Sequence, residues 1–165
     1  MPGYKLARMR TLGEPLPNWP EFFSSTDDGG ANKRVAVVYQ SSKSGAAALR
    51  EAAELVASGS ELWVATLAPQ AERARCCKSQ CEGPYNIAVK EEAARELAEA
   101  REKLGSLAER ATFTVLSGSP QPPLASWVAE HEFGLVLLPR SRFTLGGNPF
   151  ARILRKKTRA EVRLV

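Results

Sequence analysis

The chain has 165 residues, 44% hydrophobic and 25% charged, enough for one domain with a real core and too apolar to be disordered along its length. No apolar run approaches the roughly 18–20 residues that a membrane-spanning helix needs. The net charge of +5 is concentrated at one end, because residues 134–165 carry eight basic side chains and one acidic, whereas residues 1–33 balance and residues 34–133 sum to −2. Such a patch attracts anions.

Residues 1–33 read as an irregular extension. Pro15, Pro17 and Pro20 break any helix, and Asp27-Asp28-Gly29-Gly30 reads as a turn or linker. Trp19, Phe22 and Phe23 are apolar enough to dock on the domain or on a partner chain. The first residues are basic with no apolar stretch behind them, unlike a secretory signal. Three cysteines, an odd number, make no disulfide framework, so a reducing, cytoplasmic setting is expected.

From residue 34 to 165 a regular alternation predicts one α/β domain. Val35-Ala36-Val37-Val38-Tyr39 suits a strand buried on both faces. Ser44 is placed to cap a helix in which Leu49, Ala52, Ala53 and Val56 share a face, with Gly59 as its stop. Residues 62–67 predict a second strand, followed by a polar loop from about 69 to 85. Asn86 then reads as the cap of a helix running to about Arg110, with Val89, Ala93, Leu97, Ala100, Leu104 and Leu107 as its apolar stripe. The Glu91–Arg95, Arg95–Glu99 and Glu99–Lys103 pairs on its other face read as a solvated ladder.

Residues 112–116 predict a third strand. Pro122 and Pro123 open a third helix, on which Leu124, Trp127, Val128 and His131 share a face. Leu135-Val136-Leu137-Leu138 is a fourth strand, Asn148-Pro149 starts a helix to about Lys157, and residues 161–165 form a last short strand. Strands alternating with helices predict a five-stranded parallel open sheet with helices on both faces, Rossmann-like, whose ligands bind at the carboxyl ends of the strands. The loops that matter are then the one after the first strand (Gln40-Ser41-Ser42-Lys43-Ser44-Gly45), the one after the second from Ala68, the turn at Ser117-Gly118-Ser119-Pro120, and the stretch from Pro139 to Gly147.

Over residues 34–165 the chain resembles the universal stress protein family, whose fold is of the adenine nucleotide alpha-hydrolase type. Three stretches carry the resemblance. Ser117-Gly118-Ser119-Pro120 is similar to the family's Gly-Asp-Pro turn, Phe133 to Leu138 to its last long buried strand, and Gly147-Asn148-Pro149-Phe150-Ala151-Arg152-Ile153-Leu154, running on to Val165, to its final helix and strand. The resemblance implies the strand order 3-2-1-4-5 and a homodimer paired through the C-terminal strand. The apolar edge of Val162, Leu164 and Val165 is compatible with such pairing.

Many members of that family hold ATP with the segment Gly-x2-Gly-x9-Gly-Ser/Thr, whose glycines let backbone N–H groups approach phosphate. Carried over to this chain, the first glycine falls on Pro139, the second on Arg142, and the last pair on Gly147-Asn148, with a spacer of four residues instead of nine. Gln40 stands where ATP-binding members carry an aspartate. The ATP-binding motif is therefore degenerate. A modified anion site, built from Arg140, Arg142, Gly146, Gly147 and Asn148, is the alternative.

Cys76, Cys77 and Cys81 lie within six residues beside Arg73, Arg75 and Lys78, a setting for redox chemistry or a soft metal, although a closed zinc site wants four ligands and no fourth is near. His131 lies on an apolar helix face with no nucleophile motif around it. No Gly-x-Ser-x-Gly elbow surrounds Ser41, Ser42 or Ser44, and no paired carboxylates fall at the predicted strand ends. No catalytic residue is assigned.

The leading expectation is thus a non-enzymatic, stress-related regulatory module that requires no cofactor but takes ATP, another adenine nucleotide or some other anionic ligand. The alternatives are a ligand-free protein-interaction module that uses the basic C-terminal face and the N-terminal tail, a nucleic-acid-binding protein, or a redox-responsive one. Poor aromatic interleaving among Arg152, Arg155, Lys156, Lys157 and Arg159 argues against nucleic acid.

Overall fold

The protein is described by a computed structural model covering residues 33–71, 82–119, 121–140 and 148–165. Its elements run in the order β1 (Arg34–Val38), α1 (Lys43–Ala57), β2 (Glu61–Pro69), α2 (Glu82–Leu104), a 3-10 helix (Gly105–Arg110), β3 (Ala111–Gly118), α3 (Leu124–Glu130), β4 (Leu135–Leu138), α4 (Pro149–Lys157) and β5 (Glu161–Leu164). The five strands form one sheet in the order β3-β2-β1-β4-β5, and every neighbouring pair is parallel.

Strands β1 to β4 carry side chains to two cores, because successive residues point to opposite faces, and β5 contributes to one of them. Val35, Val37, Leu62, Val64, Leu135 and Leu137 meet Ala48, Leu49, Ala52 and Val56 of α1 and Ala100 and Leu104 of α2. Ala36, Val38, Ala65, Val136, Leu138 and Val162 meet Leu124, Trp127 and Val128 of α3 and Ala151 and Leu154 of α4. The helices therefore cover both faces. All four β4 residues are buried, which accounts for the unbroken apolar run in the sequence.

Several boundaries differ from the sequence reading. β2 and β3 are longer, pairing from Leu62↔Ala111 to Pro69↔Gly118. The cap of α1 is Ser42, whose Oγ accepts from the Gly45 N–H at 3.0 Å, and not Ser44. Gly59 does end α1, with φ of 104° that suits glycine. Asn86 caps nothing. It lies inside α2, with its side chain accepting from the Ala71 N–H at 2.8 Å and donating to the Ala71 carbonyl at 3.4 Å. The α-helix stops at Leu104, and Leu107 belongs to the 3-10 helix, where it still packs on the core. Asn148 caps α4 as expected, its Oδ1 accepting from the Phe150 N–H at 3.0 Å ahead of Pro149.

His131 sits at the C-terminus of α3, at the amino end of the sheet. Its ring lies 4.7 Å from Trp63 and stacks on Phe133, and its Nδ1 is 3.0 Å from the Trp127 carbonyl oxygen. It is part of an aromatic cluster with Trp63, Trp127 and Phe133.

Candidate functional site

The sheet order turns back between β1 and β4, both of whose neighbours run outward in sequence from that pair. Crossovers leave the two strands in opposite directions there, so a crevice opens at their carboxyl ends. A cleft of about 380 Å³ occupies this place. Its walls come from the strand ends and the loops and helix starts beyond them. Tyr39 and Gln40 stand after β1, Leu67 and Pro69 in β2, and Pro122 after β3. Leu138 and Pro139 lie at the end of β4, and Asn148 to Phe150 at the start of α4. Glu96 reaches in from α2.

The loop between β1 and α1 is tied on both sides. Gly45, in the first turn of α1, lies so close to the Gln40 carbonyl that a Cβ there would overlap it. Ser44 Oγ donates to the Arg140 carbonyl at 3.1 Å, linking this loop to the end of β4. Toward α2, the Ser41 N–H donates to Glu96 Oε1 at 2.9 Å and Ser41 Oγ donates to Glu99 Oε2 at 2.8 Å.

Behind that loop lies a Tyr–Glu–Lys network. The Tyr39 hydroxyl donates to Glu99 Oε1 at 2.9 Å and accepts from Lys103 Nζ at 2.9 Å, while Lys103 and Glu99 pair at 2.6 Å. Lys103, then the hydroxyls of Ser41 and Tyr39, hold the Glu99 carboxyl down to about 2, and Glu99 with Tyr39 pushes the Lys103 ammonium up to about 12. Burial raises the Tyr39 phenol above its ordinary value, against the pull of Lys103. Both charged groups are thus fixed in their charged forms at neutral pH, and the network positions the loop and leaves no group poised to transfer a proton.

Glu96 is different. Burial raises its carboxyl above the usual carboxylate range, the Ser41 N–H opposes that rise, and neighbouring Glu92 and Glu99 add to it. Among the described wall residues it is the one charged side chain.

The sequence-predicted residues are only partly brought together. Gln40, Pro139 and Asn148 share the cleft. The Asn148 Nδ2 donates to the Pro139 carbonyl at 3.2 Å, stapling α4 to the end of β4. Ser41 and Ser42 lie just outside it, the first bonded to Glu96 and Glu99, the second capping α1. Arg140 is exposed and turned toward β5: its N–H donates to the Val165 carbonyl at 2.8 Å and its Nε to the Leu164 carbonyl at 3.4 Å. Arg142, Gly146 and Gly147 lie outside the described residues, as do Cys76, Cys77 and Cys81. Among the described residues no group of three or more His, Cys, Asp or Glu is placed to hold a metal ion.

Sequence reasoning passed over Glu96 and Glu99. Glu99 stood in an expected solvated ladder with Arg95 and Lys103, and Glu96 was not singled out; of the ladder's expected pairs Glu99–Lys103 forms, while Arg95 pairs with Glu92 at 2.7 Å. No carboxylate lies on the carboxyl ends of the strands themselves, but α2 brings one, Glu96, to the cleft. The only advance signal was that Glu96 and Glu99 flank the Leu97–Ala100 side of the apolar stripe, the side that faces the sheet.

No protein-family model matches the chain, and no curated protein sequence does. Solved structures do match its fold. The universal stress protein UspA from Lactobacillus plantarum superposes with a TM-score of 0.69 at 13% identity, over 82% of this chain and 99% of that one. A universal stress protein family member from Burkholderia pseudomallei gives 0.58 at 17% identity, over 81% and 96%. A universal stress protein in complex with cAMP gives 0.51 at 19% identity, over 81% and 97%. This chain thus has the fold of the universal stress proteins.

Proposed function

We propose that this chain is a non-enzymatic, stress-related regulatory module of the universal stress protein type, whose cleft at the carboxyl edge of the sheet takes a nucleotide or another phosphate-bearing ligand. One observation carries the reading: a cleft of nucleotide-fragment size opens where β1 and β4 diverge, with Gln40 on one side and the N-terminus of α4 at Asn148 on the other. The helix terminus supplies partial positive charge for an anion. The cAMP-bound universal stress protein of the same fold supports an adenine nucleotide as the first ligand to try.

Thermal unfolding of the full chain with ATP, AMP and cAMP tests this. Binding raises the melting temperature, because a ligand at about 100 times its Kd adds roughly 2.7 kcal/mol to stability. No shift with any of the three at millimolar concentration overturns the proposal.

A second reading has an observation in its favour. Arg140 turns its side chain to the Leu164 carbonyl and away from the cleft, so the described wall carries one carboxylate and no cation. That arrangement suits a module whose partner is another protein, docking on the basic surface of Arg155, Lys156 and Lys157 at the end of α4. No thermal shift with nucleotide, together with partner binding that is lost in charge-reversed variants of α4, distinguishes it. Under either reading, a homodimer joined through β5, an outer strand of the sheet, is part of the proposal. Light scattering after size exclusion should give twice the chain mass, and a monomer at high concentration removes it.

A further inference from the structure

The cleft is polar at its two ends in opposite senses. At the α4 end, Asn148 fixes the helix N-terminus, and although Pro149 brings no N–H and the Phe150 N–H is spent on Asn148 Oδ1, the helix dipole there favours an acceptor or an anion. At the α2 end stands the Glu96 carboxylate, with Oε1 held at 2.9 Å by the Ser41 N–H and the loop behind it locked by Glu99, Tyr39 and Lys103. A carboxylate whose position is fixed before ligand arrives recognises a hydrogen-bond donor strongly and rejects phosphate. The rest of the wall offers mostly apolar surface, from Val38, Leu67, Leu138 and Phe150. A planar ring suits these walls.

We infer that Glu96 is the specificity-determining residue of the cleft, accepting a hydrogen bond from a donor on the nucleoside part of the ligand and so orienting its phosphate toward Asn148. This rests on the reading of the cleft as a nucleotide site and adds to it which end is read, and by which side chain. The donor is either the ribose 2′-hydroxyl or the exocyclic amine of the base, groups that share one chemistry toward a carboxylate.

Calorimetric titration of the full chain with AMP, 2′-deoxy-AMP and IMP separates the two sources, since the second lacks a hydroxyl and the third lacks the amine. The native chain should bind one of these analogues about tenfold more weakly than AMP, the loss expected when a charge-assisted hydrogen bond is removed. Glu96→Gln keeps an acceptor for the Ser41 N–H, so the loop stays in place. In that variant AMP should weaken by a similar factor and the preference against the affected analogue should collapse. A purely structural role would weaken all three ligands equally and leave their ratios intact, and that result overturns the inference while leaving the nucleotide site standing. Equal affinity of the native chain for all three ligands also overturns it. Failure of the native chain to bind any of them overturns both readings.

Discussion

At the residue scale, the two glutamates on α2 do different work although they stand three positions apart. Glu99 is held down to about 2 by Lys103, Ser41 and Tyr39, from an ordinary value of 4.5. A depressed carboxyl stabilises the fold above its unfolded value and loses that contribution as pH falls through the folded one. Acid unfolding of the native chain should therefore show a contribution from Glu99 between about pH 4.5 and pH 2. Glu99→Gln should flatten that limb of the stability curve, followed by circular dichroism across an acid series. Glu96 has the opposite sign. Its raised carboxyl destabilises the charged form in the fold, with Glu92 and Glu99 as the like charges facing it and the Ser41 N–H as the opposing donor. Its protonated form supports stability at low pH, and that support is lost as pH rises through the folded value. Glu96→Gln should accordingly raise the urea midpoint at pH 7 and leave it nearly unchanged below pH 4.

At the element scale, the loop from β1 to α1 and the start of α4 hold the cleft open. Gly45→Ala places a methyl group on the Gln40 carbonyl, which forces backbone to move and should cost about 1–3 kcal/mol in urea unfolding. The same substitution should blunt any thermal shift by ligand, because Gln40 moves with the loop. Asn148→Ala removes both the α4 cap and the staple to Pro139, and about 1 kcal/mol is expected from the cap alone. The strands were legible in the sequence because residues 35–39 are rich in valine and residues 135–138 are wholly apolar, and the Asn148-Pro149 start of α4 was legible from its local chemistry. The start of α2 was not. Asn86 has the right residue type for a cap, and only tertiary structure shows its amide spent on Ala71. The Glu99 contacts were hidden for the same reason, since an i,i+4 charge ladder looks the same whether its face meets water or a neighbouring loop, and Glu96, outside that ladder, carried no pattern of its own.

At the scale of the whole molecule, α1 and α2 cover one face of the sheet, α3 and α4 the other, and a cleft opens at the carboxyl edge between β1 and β4. The strand order came from a family resemblance, since hydrophobic patterning orders elements along the chain and not across the sheet. Of the residues expected at the site, Gln40, Pro139 and Asn148 converge, whereas Arg140 is drawn off by the carbonyls of Leu164 and Val165. That diversion couples the end of β4 to β5, the strand proposed to meet its copy. Ligand should therefore change the dissociation constant of the proposed dimer, and an unchanged constant by sedimentation velocity removes that coupling.

The corner at Pro139 has a consequence for how this protein can change. Proline brings no amide hydrogen, its carbonyl is engaged by Asn148, and the next amide is committed to Val165. Main-chain groups at that bend have little left to give an incoming molecule, so under the proposed reading the choice of ligand falls to side chains such as Gln40 and Glu96. If that reading holds, one or two codon changes at those positions should alter which small molecule is taken, with the strands and helices undisturbed.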